Sequence, residues 1–374
     1  MGQFGKCLRV CMAFGFSAGI LLSATAPAAA QTPVVAGTVA GFGSALTSWA
    51  AKHKVEKALV VVRRGGKLAY SLGVGGADAK QPVHLASLSK AITAACVATL
   101  VRDGKLAFDA PLAKTLAKFF AANGKPGDPR LMNVTVGQLI THRAGFPDGN
   151  GDPITGPNLR DYLRTNTAKE PPKPSLIMTA LKGKLATEPG AQYGYSNTGY
   201  ALLGAIIEEA AGKPYAAYCR DAVLTPAGAT GELEPGWQVM SAYGGWRLRG
   251  EDYLKFFDLL DPADGRLGPA TKEWVTTPAG KAIAGDSTTW YSLGMITRKS
   301  GNSVTQWHWG QWNFNLVSGK DGPLKANFAT FAVRVADGTE WFVHLQPSVP
   351  DGPRIELDRA LFEAYRAVKV WDDR

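Results

Sequence analysis

Hydrophobic positions along the chain fall into three regimes. Lys57–Arg63 (KALVVVR) is a β-rich run, Gly65-Gly66 supplies a two-residue turn, and Lys67–Leu72 alternates again, a pattern that predicts a hairpin. From Ala91 to Val101 no residue is charged and every helical face is apolar, which predicts a helix buried on all sides and ended by Asp103-Gly104. A loop-rich helical stretch follows, broken at Asn123-Gly124, Pro147–Pro157 and Pro171-Pro172-Lys173-Pro174, with clear helices at Ala201–Ala211 and Glu251–Leu260. From Tyr291 the spacing turns to short strands: Tyr291–Arg298, Val304–Trp307, Asn313–Ser318, Ala326–Val335 and Glu340–Leu345. Glu356–Val368 then resumes helical spacing. The economical arrangement is an α+β fold: one antiparallel sheet built from both termini, flanked by helices, with an inserted helical region.

Composition narrows the class. With 45% hydrophobic and 19% charged residues, the chain has enough apolar surface for a core and too little charge for a solvated tail. Lys6 and Arg9 precede an apolar run from Val10 that ends in Ala28-Ala29-Ala30, which reads as a signal peptide over residues 1–30, cleaved before Gln31. The expected location is periplasmic or secreted, with no membrane span after cleavage. What remains, 31–374, is expected to form one domain, with sheet-forming parts at 31–103 and 291–374 around a helical subregion at about 104–290. The net charge of +10 includes no run of five Lys or Arg and no basic stripe interleaved with aromatics, so a scattered basic surface is expected and nucleic acid is not indicated as a partner. Cys96 and Cys219 lie in apolar helical patterns and are expected to be buried thiols rather than a bridge.

Two short motifs carry chemistry. Ser87-Leu88-Ser89-Lys90 is the one Ser-x-x-Lys in the chain, and i,i+3 spacing sets Ser87 and Lys90 on one helical face. Its position at the mouth of the buried helix implies a desolvated Lys90 whose pKa falls toward that of a useful base. Tyr195-Ser196-Asn197, the one Tyr-x-Asn, presents a phenol able to shuttle a proton beside an amide able to hold a substrate carbonyl.

The surroundings of these motifs resemble a known family. Glu188–Tyr200 (EPGAQYGYSNTGY), leading into the Ala201 helix, is similar to the second motif of class C β-lactamases, serine D-alanyl-D-alanine peptidases and related esterases. Val134–Pro147 is similar to that family's Leu-Leu-x-His-x-Ser-Gly-x-Pro stretch, with Ala144 in place of the usual Ser, and Lys105–Leu112 and Tyr291–Gly294 match further segments in order. The resemblance spans roughly Lys57 to Phe342 and is strongest between Ser87 and Tyr215. It implies a β-lactamase/penicillin-binding-protein-like fold and a serine hydrolase with no cofactor.

The third family motif, Lys-Thr-Gly or a variant, has three candidates here: Lys299-Ser300-Gly301, Lys320-Asp321-Gly322 and His308-Trp309-Gly310. The last follows a β run directly and is preferred, while the lysine versions read as hairpin turns. On that assignment the resemblance implies Ser87 as nucleophile, Lys90 and Tyr195 as its proton-transfer partners, and Asn197, His308, Trp309, Gly310 and Gln311 as substrate-binding residues. The amides of Ser87 and Gln311 would then form the oxyanion hole, and Trp309 an aromatic wall. Asp148–Asp152 imitates the start of a calcium loop, but Pro153 and Leu159 occupy essential positions, so a solvated turn and no metal are expected. His142 is expected to be a buried structural histidine. The function so read is a secreted hydrolase of esters or amides working through an acyl-enzyme on Ser87, most like an esterase. The alternatives are a β-lactamase or D-alanyl-D-alanine peptidase and, from another class, a non-catalytic envelope-binding protein; the oligomeric state is not readable.

Overall fold

A computed structural model of the chain describes residues 37–155, 157–165, 174–277, 283, 288–318 and 322–371. Residues 1–30, read above as a signal peptide, and Lys320 and Asp321 lie outside the described residues. Ten strands occur among them: β1 (Lys57–Arg64), β2 (Lys67–Val74), β3 (Val83–His84), β4 (Gly231–Leu233), β5 (Trp246–Leu248), β6 (Thr289–Tyr291), β7 (Ile296–Ser300), β8 (Ser303–Ser318), β9 (Gly322–Arg334) and β10 (Thr339–Gln346). Seven form an antiparallel sheet in the order β2-β1-β10-β9-β8-β7-β6, and β3-β5-β4 form a small second sheet. The β1–β10 pairing joins the two ends of the chain, Lys57 facing Gln346 and Arg64 facing Thr339. The fold is α+β, as the residue pattern predicts.

The unbroken apolar run of β1 has a simple cause: the sheet is covered on both faces. Ala58, Val60 and Val62 pack with Phe42 and Leu46 of helix α1 (Gly41–Lys52) and with Leu357 and Leu361 of the C-terminal helix Asp351–Ala367. Leu59 and Val61 point the other way, into the core shared with helix α2 (Ser89–Arg102) and the Asn197–Ala211 helix. Alternate residues of one strand thus belong to two different cores. Helix α2 is buried on every face from Ser89 to Leu100, which explains the lack of charge after Lys90.

Three details differ from the sequence reading. Tyr291–Arg298 is not one strand, because the chain reverses between β6 and β7 at Gly294, whose φ of +76° suits glycine. Val304–Trp307 and Asn313–Ser318 are halves of the single strand β8, whose middle stays extended through Gly310. Cys96 and Cys219 are buried as expected, yet they form a disulfide, with Cα atoms 5.5 Å apart, that ties α2 to the Tyr215–Cys219 helix.

Candidate active site

Ser87 lies in the short 3-10 turn Ala86–Leu88 that opens α2. The turn is fixed from two sides: Leu85 donates its amide to the Trp246 carbonyl at 2.9 Å, and Thr330 Oγ1 donates to the Leu85 carbonyl at 2.7 Å. Ala86 is held at φ +46°, a left-handed conformation that costs a non-glycine residue on the order of 1 kcal/mol. The neighbouring hydroxyl, Ser89, is fully buried and accepts the Trp246 amide at 3.1 Å, so it has a structural task. Ser87 is only partly buried.

Lys90 completes the i,i+3 pair. Its Nζ lies 3.1 Å from Ser87 Oγ and donates to the Tyr243 carbonyl at 2.9 Å, and the residue has no exposed surface. Burial pushes its pKa well below the usual 10.5, against the opposing pull of Asp152. The Tyr195 ring lies 4.8 Å from Nζ, and its hydroxyl is hydrogen-bonded to Ser87. Burial raises the Tyr195 pKa far above its ordinary 10, and the Ser87 hydrogen bond offsets this only in part. Tyr195 is therefore a neutral phenol at pH 7.

The Tyr195 loop rests on two residues whose roles sequence reasoning did not assign. Asp152, read as part of a solvated turn, is buried. It accepts Ser196 Oγ at 2.6 Å, the Thr198 amide at 3.1 Å and Thr198 Oγ1 at 3.1 Å, and so clamps the start of the Asn197–Ala211 helix. Ser196 caps that helix by accepting the Gly199 amide. His142 is buried as expected, at φ +57°; its Nδ1 accepts the Ser196 amide at 3.0 Å and its ring lies 4.3 Å from that of Tyr195. The signal for Asp152 was present in its alternation with glycines, but only the fold shows that it faces inward. Asn197 Oδ1 is buried without a partner beside this cluster.

Strand β8 forms the opposite wall. Strand β7 pairs with it only as far as Trp307, and among the described residues no strand pairs with that edge beyond. His308 faces the site: Nε2 lies 3.0 Å from Tyr291 Oη, and its ring is 6.0 Å from that of Tyr195. Burial, with a smaller push from Lys90, lowers the His308 pKa to about 3, so it is neutral at pH 7. Gly310 lies against the nucleophile, where a Cβ would sit 2.6 Å from the Leu85 carbonyl and 2.9 Å from the Ser87 amide nitrogen. Trp309 does not line the site. Its side chain leaves the other face of the strand and stacks on Phe331 with ring centroids 4.1 Å apart, since neighbouring strand residues point in opposite directions. Trp312 has the right parity instead, packing near Tyr243 and donating Nε1 to the Gly244 carbonyl at 3.0 Å. Gln311 pairs with Ala329 on β9, and its backbone continues the strand past Gly310. Lys299-Ser300-Gly301 is the exposed end of the β7–β8 hairpin.

Among the described residues no cluster of His, Cys, Asp or Glu is arranged to hold a metal ion. The Beta-lactamase family model matches residues 42–352. The chain is similar to penicillin-binding protein 4* of Bacillus subtilis, 31% identical over 45% of this chain and 36% of that protein. It is also similar to esterase EstB of Burkholderia gladioli, 31% identical over 47% of this chain and 46% of that one. The chain spans less than half the length of the curated relatives it matches. Among solved structures, a D-stereospecific amidohydrolase from a Streptomyces species superposes with a TM-score of 0.69 at 20% identity, over 86% of this chain and 98% of that one, a likeness of fold. With a serine and a buried lysine paired at the head of α2, a Tyr-x-Asn loop facing them and a family match over most of its length, the chain belongs to the β-lactamase family.

Proposed function

We propose that this protein is a serine acyl hydrolase that cleaves neutral esters or amides through a covalent intermediate on Ser87. The observation that carries the reading is the Ser87–Lys90 pair, an alcohol 3.1 Å from an amine whose pKa burial pushes well below 10.5. Lys90 Nζ takes the Ser87 proton as Oγ attacks the carbonyl carbon. The negative charge that develops on the carbonyl oxygen is met by the amides of Ser87 and Gln311. Tyr195, a neutral phenol bonded to Ser87, passes a proton to the departing alcohol or amine and is reprotonated by Lys90, which returns to the free amine. Water then attacks the acyl-enzyme, the same groups take its proton, and Ser87 is restored as the acid leaves. Asn197, with its buried and unpartnered Oδ1, orients the acyl side.

The preference for neutral substrates follows from what β8 lacks. A Lys-Thr-Gly strand would hold a carboxylate with a cation and a hydroxyl. Here the first position is a neutral His308, the middle side chain points into the opposite core, and the one described lysine alternative is a hairpin end. The runner-up, a β-lactamase or D-alanyl-D-alanine peptidase, requires such a grip. Comparison of kcat/KM for nitrocefin with that for p-nitrophenyl acetate and butyrate tests the reading: the esters should be favoured by at least about tenfold, and an advantage for nitrocefin would promote the alternative. We also propose export through the 1–30 leader, a reading supported by the Cys96–Cys219 bridge, since disulfides persist in oxidising compartments. N-terminal sequencing of the exported protein should begin at Gln31.

A further inference from the structure

Asp152 and Lys90 are both buried, and among the described residues neither has an ion-pair partner. Neutral groups hold each of them. Lys90 Nζ bonds to Ser87 Oγ and to the Tyr243 carbonyl, while the donors to Asp152 are hydroxyls and backbone amides. Oδ2 accepts Ser196 Oγ and the Thr198 amide, and Oδ1 accepts Thr198 Oγ1 and, at 3.2 Å, the Ile154 amide. Both oxygens act as acceptors, which is the pattern of an ionised carboxylate. One short segment joins the two groups: Asp152 grips Ser196 and Thr198, and the ring of Tyr195, which precedes Ser196, lies 4.8 Å from Lys90 Nζ. The other titratable groups around Lys90 are uncharged at pH 7. Burial lowers the pKa values of His142 and His308 and raises those of Tyr195, Tyr200, Tyr243 and Tyr291. What remains is a carboxylate whose charge favours the ammonium form of Lys90.

We propose that Asp152 is a positioning residue of the hydrolase, its buried carboxylate serving as the counter-charge for the Lys90 ammonium that forms when Nζ takes the Ser87 proton. This role depends on the Ser87 reading given above and supplies what balances the new positive charge. Proton transfer from Oγ to Nζ turns a neutral amine into an ammonium with no exposed surface, and such a charge is costly unless an opposite one is near. Asp152 meets it while its own oxygens stay on their hydroxyl and amide donors. The same carboxylate holds Ser196 and Thr198, on either side of Asn197, and so fixes the loop that carries Tyr195 and Asn197. Charge and clamp are separable by substitution.

The test is the pH dependence of kcat/KM for p-nitrophenyl acetate, measured on the full chain between about pH 5 and about pH 9. The wild-type rate should fall on the acid side as Lys90 becomes protonated. Asp152→Asn, which removes the charge, should move that fall to lower pH by about half a unit or more and lower the plateau at least about tenfold. Thr198→Val, which removes one hydrogen bond of the clamp and keeps the carboxylate, should leave the midpoint where wild type has it. Asp152→Glu, which keeps the charge, should do the same, and Asp152→Ser repeats the neutral test should Asp152→Asn not fold. A wild-type profile with no acid-side fall, a midpoint unmoved in the neutral variants, or an equal shift in Thr198→Val would each overturn the proposal and leave the Ser87 reading intact. Hydrolysis that survives Ser87→Ala would contradict that reading and this role with it.

Discussion

The two walls of the site are built on different principles. The helical wall places its chemistry in side chains: Ser87, Lys90, Tyr195 and Asn197 are brought together by a strained turn, a buried helix and a loop clamped by Asp152 and His142. The sheet wall works through backbone and through the absence of side chains. Gly310 lets β8 lie against the Ser87 amide, His308 contributes a neutral ring, and Trp309 belongs to the opposite core. On the proposed reading, chemistry resides on the first wall and substrate choice on the second.

The largest effects should come from the helical wall. Ser87→Ala, Lys90→Ala and Tyr195→Phe should each lower kcat/KM by about a thousandfold or more while the protein stays folded. Because Lys90 and Tyr195 act on one proton, the Lys90→Ala/Tyr195→Phe double variant should lose little beyond either single one. Multiplying losses in steady-state kinetics would separate their roles and break the picture of a single unit.

Gly310→Ala is the matching experiment on the sheet wall. The added Cβ collides with the Leu85 carbonyl and the Ser87 amide as well as with the Thr330 hydroxyl, so the Ser87 turn or β8 must shift. A misplaced nucleophile should reduce kcat by about a hundredfold, with far less change in KM. Hydrolysis at near wild-type rates would mean that β8 does not press on the nucleophile.

Lys90 also carries a stability signature with a definite sign. Its folded pKa lies below 10.5, so between the two values the unfolded chain binds the extra proton and stability rises with pH. Lys90→Met should abolish turnover and yet raise Tm at pH 7 by a few degrees, about 2–4 °C for each kcal/mol in a domain of 150–250 residues and less in this larger one. That gain should shrink as pH rises through 10.5, above which the wild-type lysine is neutral in both states. A gain that does not vary with pH would show that Lys90 is charged when folded.

The smallest effect on turnover is expected at Trp309. Trp309→Leu should leave kcat/KM for p-nitrophenyl butyrate within about twofold while lowering Tm, because the residue supports the stack with Phe331 rather than the substrate. Trp312→Leu, on the same strand but of opposite parity, should alter kcat/KM more than Trp309→Leu does.

The sequence made the helical wall readable for a physical reason. Fixed i,i+3 spacing on an uncharged helix ties Ser87 to Lys90 without any knowledge of distant contacts, and Tyr195-Ser196-Asn197 sits directly before its own helix. The hairpin of β1 and β2 was equally local. What escaped was non-local or depended on parity. Val304–Ser318 is too rich in tryptophan and too lightly charged for alternation to show which face is which, so Trp309 was placed in the site when Trp312 has the inward parity. Asp152 looked solvated because its partners, Ser196 and Thr198, lie more than forty residues away. The Cys96–Cys219 bridge joins two helices whose adjacency no local pattern states.

The claim that organises all of this is a covalent acyl-enzyme on Ser87. Intact-mass measurement of wild type and Ser87→Ala after separate incubation with a fluorophosphonate, a penicillin and a p-nitrophenyl ester tests it most directly, with the adduct located by peptide mapping. One fluorophosphonate adduct on the Ser87 peptide of wild type, none on Ser87→Ala, and a penicillin adduct slower to form than the ester's is the predicted result. An adduct at Ser89 or elsewhere, or labelling that survives Ser87→Ala, would contradict it.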